Sequence, residues 1–329
     1  MVVPDYYSKF RCIGGECKNN CCRGGWEIEV DEDALERFNK IDGQFGEKVR
    51  KAINDENVFR HVDGHCPLLT EDGWCEMAQK GHQLCTICDE YPRFTEYFED
   101  YCERGISVSC EAAADIILNN TEKVSLVGES GKCDADIFVL LMHAREKIFS
   151  ILQNREDNIF KRIRLVLSYG KYLQERINNN NFEISDFVPS DTKSEYKNNL
   201  GILYMLSELE MLSDEWGAIL DKACDREESG LLSDRIDDLK GEQLAVYFVY
   251  RYFLKGAFDC DVLSKLEFMA VSILAINSVA AVTGDLAESA RLYSIEIEHD
   301  EDNIEAIYDE FLFCEDLSYE NIIKMLSAE

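Results

Sequence analysis

The chain has 329 residues, 46% of them hydrophobic and 30% charged, with four prolines. That composition belongs to a soluble globular protein with room for about two domains of roughly 150 residues each. Its 65 acidic side chains against 34 basic ones give a net charge of −31, and so negative a surface repels a phosphate backbone; it excludes nucleic acid as the expected partner and attracts a lysine-bearing one, although acidity also serves solubility alone.

Ten of the 14 cysteines precede residue 111. They form two groups, Cys12-x4-Cys17-x3-Cys21-Cys22 and Cys66-Pro-x7-Cys75-x9-Cys85-x2-Cys88, followed by Cys102 and Cys110. Between the groups, Trp26 to Val30 alternates in polarity and predicts a short strand, with Asp31 as a helix N-cap directly after it. Leu35, Phe38, Ile41, Phe45, Val49 and Ile53 recur at helical steps, and Gly43 and Gly46 weaken the middle of that amphipathic helix. Gly105 to Cys110 predicts a strand that delivers its last residue to the cysteine site, and Glu111 to Leu118 a helix leaving it. Asn119 to Lys132 is polar and reads as a boundary. Helical spacing then covers Asp134–Gln153, Asn158–Ile177, Asp191–Leu212, Gly241–Ala257, Val262–Val282 and Asn303–Phe313, with the asparagine run 178–181 as a loop. The apolar stretch Phe268 to Ile276 is too short and interrupted to span a bilayer. The fold class expected is mainly α: a small cysteine-rich metal-binding module with short strands over residues 1–118, then an all-helical domain over 119–329.

Two readings compete for the cysteines. Disulfides are disfavoured because Met1 to Phe10 shows no basic region before an apolar core, the mark of an export signal, and because a chain of this length buries enough surface to fold without staples. Metal ligation in the reducing cytoplasm is therefore expected, by thiolates that select zinc or an iron–sulfur cluster. Only Cys85-x2-Cys88 matches a zinc-type pair, and neither the radical Cys-x3-Cys-x2-Cys loop nor a ferredoxin run is present, since Gly24 stands where the third radical-loop cysteine would be. What remains is a nonstandard site drawing ligands from Cys17, Cys21, Cys22, Cys66, Cys85, Cys88 and Cys110. Cys12 and Cys75 are further candidates, and Cys102, Cys133, Cys224, Cys260 and Cys314 are expected to be structural. His61 and His65, four apart, suit a zinc site or plain polar surface. Tyr91, Phe94, Tyr97 and Phe98 are aromatics that suit either a cationic ligand or a core, and Arg93 suits a carboxylate clamp or a loop-holding salt bridge to Asp89 or Glu90. The Cys85–Cys88 dithiol also admits a redox-sensor reading.

Phe10 to Asp31, Cys66-Pro-Leu-Leu, Gly73-Trp-Cys75, Leu84 to Arg93 and Ser107-Val-Ser-Cys110 together resemble the ordered blocks of the flagellin lysine-N-methylase family. Tyr247 to Phe253, Glu298-His299 and Asn303 resemble weaker landmarks of it farther on. The chain departs from the family where Cys110 is followed by Glu111 rather than Pro-Glu, where Asp115 stands in place of arginine, and at Ile295. The resemblance implies S-adenosylmethionine-dependent methylation of flagellin lysines and a 4Fe-4S cluster held by these cysteines. It makes Tyr91 and Arg93 the candidate catalytic residues and Arg93 and Phe94 the candidate cofactor contacts, with no membrane or nucleic-acid partner. The alternative is a noncatalytic zinc- or iron-binding interaction module.

Overall fold

The computed structural model describes every residue except 24–27, 63, 184, 193, 232–234 and 328–329. Its mainly helical body carries a four-stranded sheet ordered β2-β3-β1-β4. β2 (Arg93–Phe98) and β3 (Tyr101–Ile106) form an antiparallel hairpin in which Arg93 faces Ile106 and Phe98 faces Tyr101. β1 (Val2–Pro4) runs parallel to β3, and β4 (Leu126–Gly128) closes the other edge antiparallel to β1.

Part of the expected strand at Trp26 lies outside the described residues; Glu29 bridges Val58. Asp31 caps the next helix as its position predicts, accepting the Ala34 N–H at 2.9 Å. The single helix expected over Leu35–Ile53 is instead two, Glu32–Asn39 and Gly43–Ala52. Gly43 takes φ of +75° at the break, a conformation open to glycine at little cost. The strand expected to reach Cys110 stops at Ile106. Beyond it the Ser107 carbonyl and hydroxyl accept the N–H groups of Cys110 and Ser109, replacing ladder bonds with a turn. Cys110 then occupies the N-cap position of Glu111–Leu118, the helix expected there.

Two apolar cores result. One gathers Val30, Phe38, Val49, Leu68, Met77 and Cys85 beneath the cysteine segments. The other runs from Tyr6, Phe10 and the sheet through the helical body. At its centre lies Leu263–Thr283, packed against Asp238–Tyr252, Ile159–Asn178, Asp214–Glu228 and Leu286–Tyr293. By length and composition this helix could cross a membrane, since it continues through Asn277 and Ser278 where the sequence suggests interruption, but 78% of its most apolar window is buried inside the protein. Asn199 supplies Ser278 with a hydrogen bond at 3.0 Å, so a polar side chain is accommodated in the core.

The two cysteine groups are fastened by close backbone approach. Gly14 and Gly15 lie against Trp74, and Asn20 donates to the carbonyls of Gly73 at 2.7 Å and Gly14 at 3.2 Å. A Cβ on Gly15 would stand 2.3 Å from the Asp72 carbonyl oxygen, so backbone has to move. Gly15→Val is expected to cost about 1–3 kcal/mol of stability. Urea unfolding checks this, with an unchanged midpoint counting against the packing described.

Candidate functional site

All 14 cysteines are free thiols. Six of them, from segments that are distant in sequence, lie within electrostatic reach of one another. Cys21 and Cys22 lie in the tight turn Cys21–Arg23, and the Cys66 N–H donates to the Cys22 carbonyl at 2.9 Å. Cys75 and Cys85 occupy the N-cap positions of the short helices Glu76–Gln79 and Thr86–Glu90, the second of which carries Cys88. Cys66 is in electrostatic reach of Cys75, Cys85 and Cys21, and Cys88 of Cys85, Cys22 and Cys66. The Cys22 thiol donates to Cys21 and the Cys88 thiol to Cys85, which lowers the pKa of each acceptor and raises that of each donor. Burial pushes Cys66 up to about 11. Each pair thus holds one thiol shifted toward its thiolate, the form a soft metal binds.

Cys17 and Cys110 stand to one side. The Cys17 thiol donates to the Glu111 carboxylate at 3.3 Å, and burial together with that contact pushes it up to about 12. Cys110, raised by burial, neighbours Cys21 and exposed Cys12. Glu111 also accepts the Asn19 N–H at 3.0 Å, while the Asn19 amide reaches Glu288, whose carboxylate pairs with Arg291. The cysteine loop is thereby docked on two helices of the body. Of the seven expected ligands, five meet in the central group; Cys75, left outside that favoured set, meets them there. The donor set fits a thiolate-bound iron–sulfur or zinc group in its chemistry, whereas among the described residues no three His, Cys, Asp or Glu side chains are already arranged to hold an ion. His65 is exposed in a small turn paired with Val62.

Beside the thiols lies a buried polar network that joins the Ser107–Cys110 turn to the helical body. The Ser109 hydroxyl donates to that of Ser107 at 2.9 Å, and the Ser107 hydroxyl lies 3.2 Å from that of Ser294. Arg251 donates to Ser107 at 3.0 Å and to Tyr247 at 2.6 Å. Tyr247 and Tyr252 each donate to Glu298 Oε2 at 2.8 Å, and Arg251 pairs with the same oxygen at 3.0 Å. Tyr247 and Arg251 lie four apart on one helix face, and Glu298 ends the π-helical turn Ser294–Glu298. Asn303 fastens that turn by donating to the Glu296 carbonyl at 3.0 Å.

The remaining candidates divide. Tyr91 belongs here: its hydroxyl donates to the Ser109 carbonyl at 3.0 Å, and its ring meets His299 edge-on at 6.3 Å. Phe94 lies under the Arg251 guanidinium at 4.7 Å. Arg93 donates to the Asp89 carbonyl at 3.1 Å and covers the Phe10 ring at 5.0 Å, while the Glu90 carboxylate takes Arg104. It therefore ties the loop through a backbone carbonyl, not through the salt bridge to Asp89 or Glu90 that one of its two readings expected. Phe98 is buried and stacks on Phe258 at 5.0 Å, and Tyr97 is 67% exposed, so neither joins the network. Two surface cavities, of about 140 Å³ around Tyr169 and Arg176 and about 380 Å³ around Asp214 and Asp221, lie elsewhere.

Burial, then the Arg251 charge, hold His299 down at about 4 against an ordinary 6.5. The unfolded chain therefore binds a proton that the folded one refuses between those values, so this histidine's contribution is intact above pH 6.5 and is lost as pH falls toward 4. In His299→Gln the difference from wild type in chemical-denaturation stability is expected to shrink across that window. A pH-independent difference would contradict the assignment.

Fold and site together define a mainly helical protein with a thiol-lined module docked on a buried arginine–tyrosine–glutamate network. Among curated proteins the chain is similar to the lysine-N-methylase of Salmonella typhimurium strain LT2, 23% identical over 141 residues that cover 38% of this chain and 34% of the relative. It is similar to the lysine-N-methylase of Salmonella choleraesuis strain SC-B67 to the same extent, and thus spans about a third of the length of the relatives it matches. No family model and no solved structure matches the chain.

Proposed function

We propose that the chain is an S-adenosylmethionine-dependent protein-lysine N-methyltransferase acting on flagellin in the cytoplasm. The observation that carries the reading is the convergence of the Ser107–Cys110 turn, Tyr247, Arg251 and Glu298 on one buried network beside six thiols. These are the separate stretches in which the chain resembles lysine-N-methylases. Cys21, Cys22, Cys66, Cys75, Cys85 and Cys88 would hold a 4Fe-4S cluster between them, four of the six sufficing. When bound, such a cluster supplies a redox-active, Lewis-acidic centre beside the network.

Methyl transfer demands a neutral amine, although free lysine has a pKa near 10.4. The lone pair bonds the methyl carbon as the carbon–sulfur bond breaks; the sulfonium leaves as a neutral thioether, and the methylated nitrogen sheds one proton to water. A buried site next to Arg251 favours the neutral amine, because desolvation and a like charge both disfavour its protonation. The test is anaerobic purification, assay of iron and sulfide, and mass spectrometry of flagellin incubated with the methyl donor. Methylated lysines support the reading; zinc alone and no transfer overturn it. The placement of the two cavities described above away from the network favours a second reading, a noncatalytic zinc- or iron-binding interaction module. That reading predicts no heat of binding with S-adenosylmethionine.

A further inference from the structure

We infer that Glu298 Oε1 receives the ε-amino group of the substrate lysine, beside Tyr247, Tyr252 and Arg251. The inference rests on the methyltransferase reading, to which it adds the group that recognises the substrate.

Glu298 is only 6% exposed, and its two oxygens are treated unequally. Oε2 accepts hydrogen bonds from Tyr247 and Tyr252 and pairs with Arg251, while Oε1 is buried with no hydrogen-bond partner. A buried acceptor left without a donor costs about 1–3 kcal/mol, so a ligand that supplies an N–H there recovers free energy. The surroundings specify which ligand. The Arg251 guanidinium lies over Phe94 at 4.7 Å and Tyr252 at 5.4 Å, so the network already seats one nitrogen cation against aromatic rings beside the carboxylate that pairs with it. Because Arg251 already pairs with Glu298, the carboxylate offers the newcomer an acceptor without an unopposed negative charge to hold it protonated. His299 reports the same environment: burial and Arg251 outweigh the opposing pull of the Glu298 carboxylate and keep it neutral at ordinary pH, as a methyl-accepting amine has to be.

The local backbone aims the group. Glu298 closes a π-helical turn, a widened geometry often found at functional positions. Tyr91 and His299, whose rings meet edge-on at 6.3 Å, are both half-buried.

Glu298→Gln preserves shape while replacing one acceptor oxygen by a donor, and it is expected to lower kcat/KM for flagellin by about 10- to 100-fold. Calorimetry with Nα-acetyl-lysine amide, and with its norleucine counterpart as control, reads the site without turnover: wild type binds the lysine compound alone, and Glu298→Gln binds neither. If the variant is unfolded, 15N-labelled lysine amide on wild type decides the question, because the bound amine is expected to titrate below its ordinary 10.4. Undiminished methylation or lysine-amide binding by the folded variant overturns the inference, as does an unshifted amine on wild type. Glu298-dependent binding in a protein that transfers no methyl group leaves the amine site standing and sinks the methyltransferase reading instead.

Discussion

A Cys66→Ser, Cys88→Ser double variant, purified without oxygen, is expected to carry little of the iron and sulfide, and to lack the visible absorbance, that the proposed cluster would give the unmodified protein. Cys66 lies among Cys21, Cys75 and Cys85, while Cys88 joins the Cys85 pair to Cys22, so the two replacements remove sulfurs from the middle of the group. Serine keeps nearly the same volume but is a poor donor to a soft metal, and losing even an outer-shell partner weakens metal binding about 10- to 100-fold. Cys260→Ser, at an exposed position outside the thiol group, is the control and should retain full iron content. Retention of iron by the double variant, or its loss by the control, would remove these sulfurs from the ligand set. The same comparison in Cys17→Ser decides whether the thiol bonded to Glu111 is a ligand or a docking contact.

Short-range rules govern the part of the fold that was legible in the sequence. Asp31 caps its helix because aspartate accepts N–H groups wherever a helix begins, and Glu111–Leu118 forms where its apolar face predicts. The mainly helical class rests on 3.6-residue periodicity. Periodicity fails where polar residues take over the backbone's bonds: Ser107 ends β3 early, and Asp191 to Asn199 lacks an apolar stripe, so the helix expected over Asp191–Leu212 is confined to Leu200–Glu208. The helices Asp214–Glu228 and Leu286–Tyr293 were missed, although Ser213 and Asp285, which accept N–H groups at their starts, are the caps that could have revealed them.

The candidate site divides in the same way. Cysteine spacing singled out the thiols but could not place Cys75 in the central group and Cys17 beside Glu111, because that depends on which loops the Gly15–Trp74 contact brings together. Tyr247, Arg251 and Glu298 entered only through the resemblance. No local rule couples residue 107 to residue 298, and Glu298 sits in a π turn, outside the helical period.

Arg145→Met is expected to destabilise the protein by about 3–5 kcal/mol, the usual consequence of removing one member of a buried ion pair. Arg145 and Glu103 are 2% and 3% exposed and meet through two hydrogen bonds of 2.7 and 2.6 Å, with Tyr101 donating to Glu103 as well. Methionine fills much of the arginine stem's space but leaves the carboxylate with the tyrosine as its remaining partner. Adding Glu103→Leu should restore much of the stability, since a well-packed apolar pair often replaces a buried ion pair at little cost. Position gives the pair a functional consequence as well. Glu103 lies on β3, four residues before Ser107, and the Tyr250 hydroxyl ties that strand at the Arg104 carbonyl, 3.1 Å away, to the helix that carries Tyr247 and Arg251. Loosening β3 therefore displaces the turn to which Arg251 and Tyr91 are bonded, so Arg145→Met should impair amine binding and stability together, while the double variant recovers both. Denaturation and lysine-amide calorimetry on the two variants check this; a stable double variant that still fails to bind would mean that the pair orients the network directly, rather than by holding the strand.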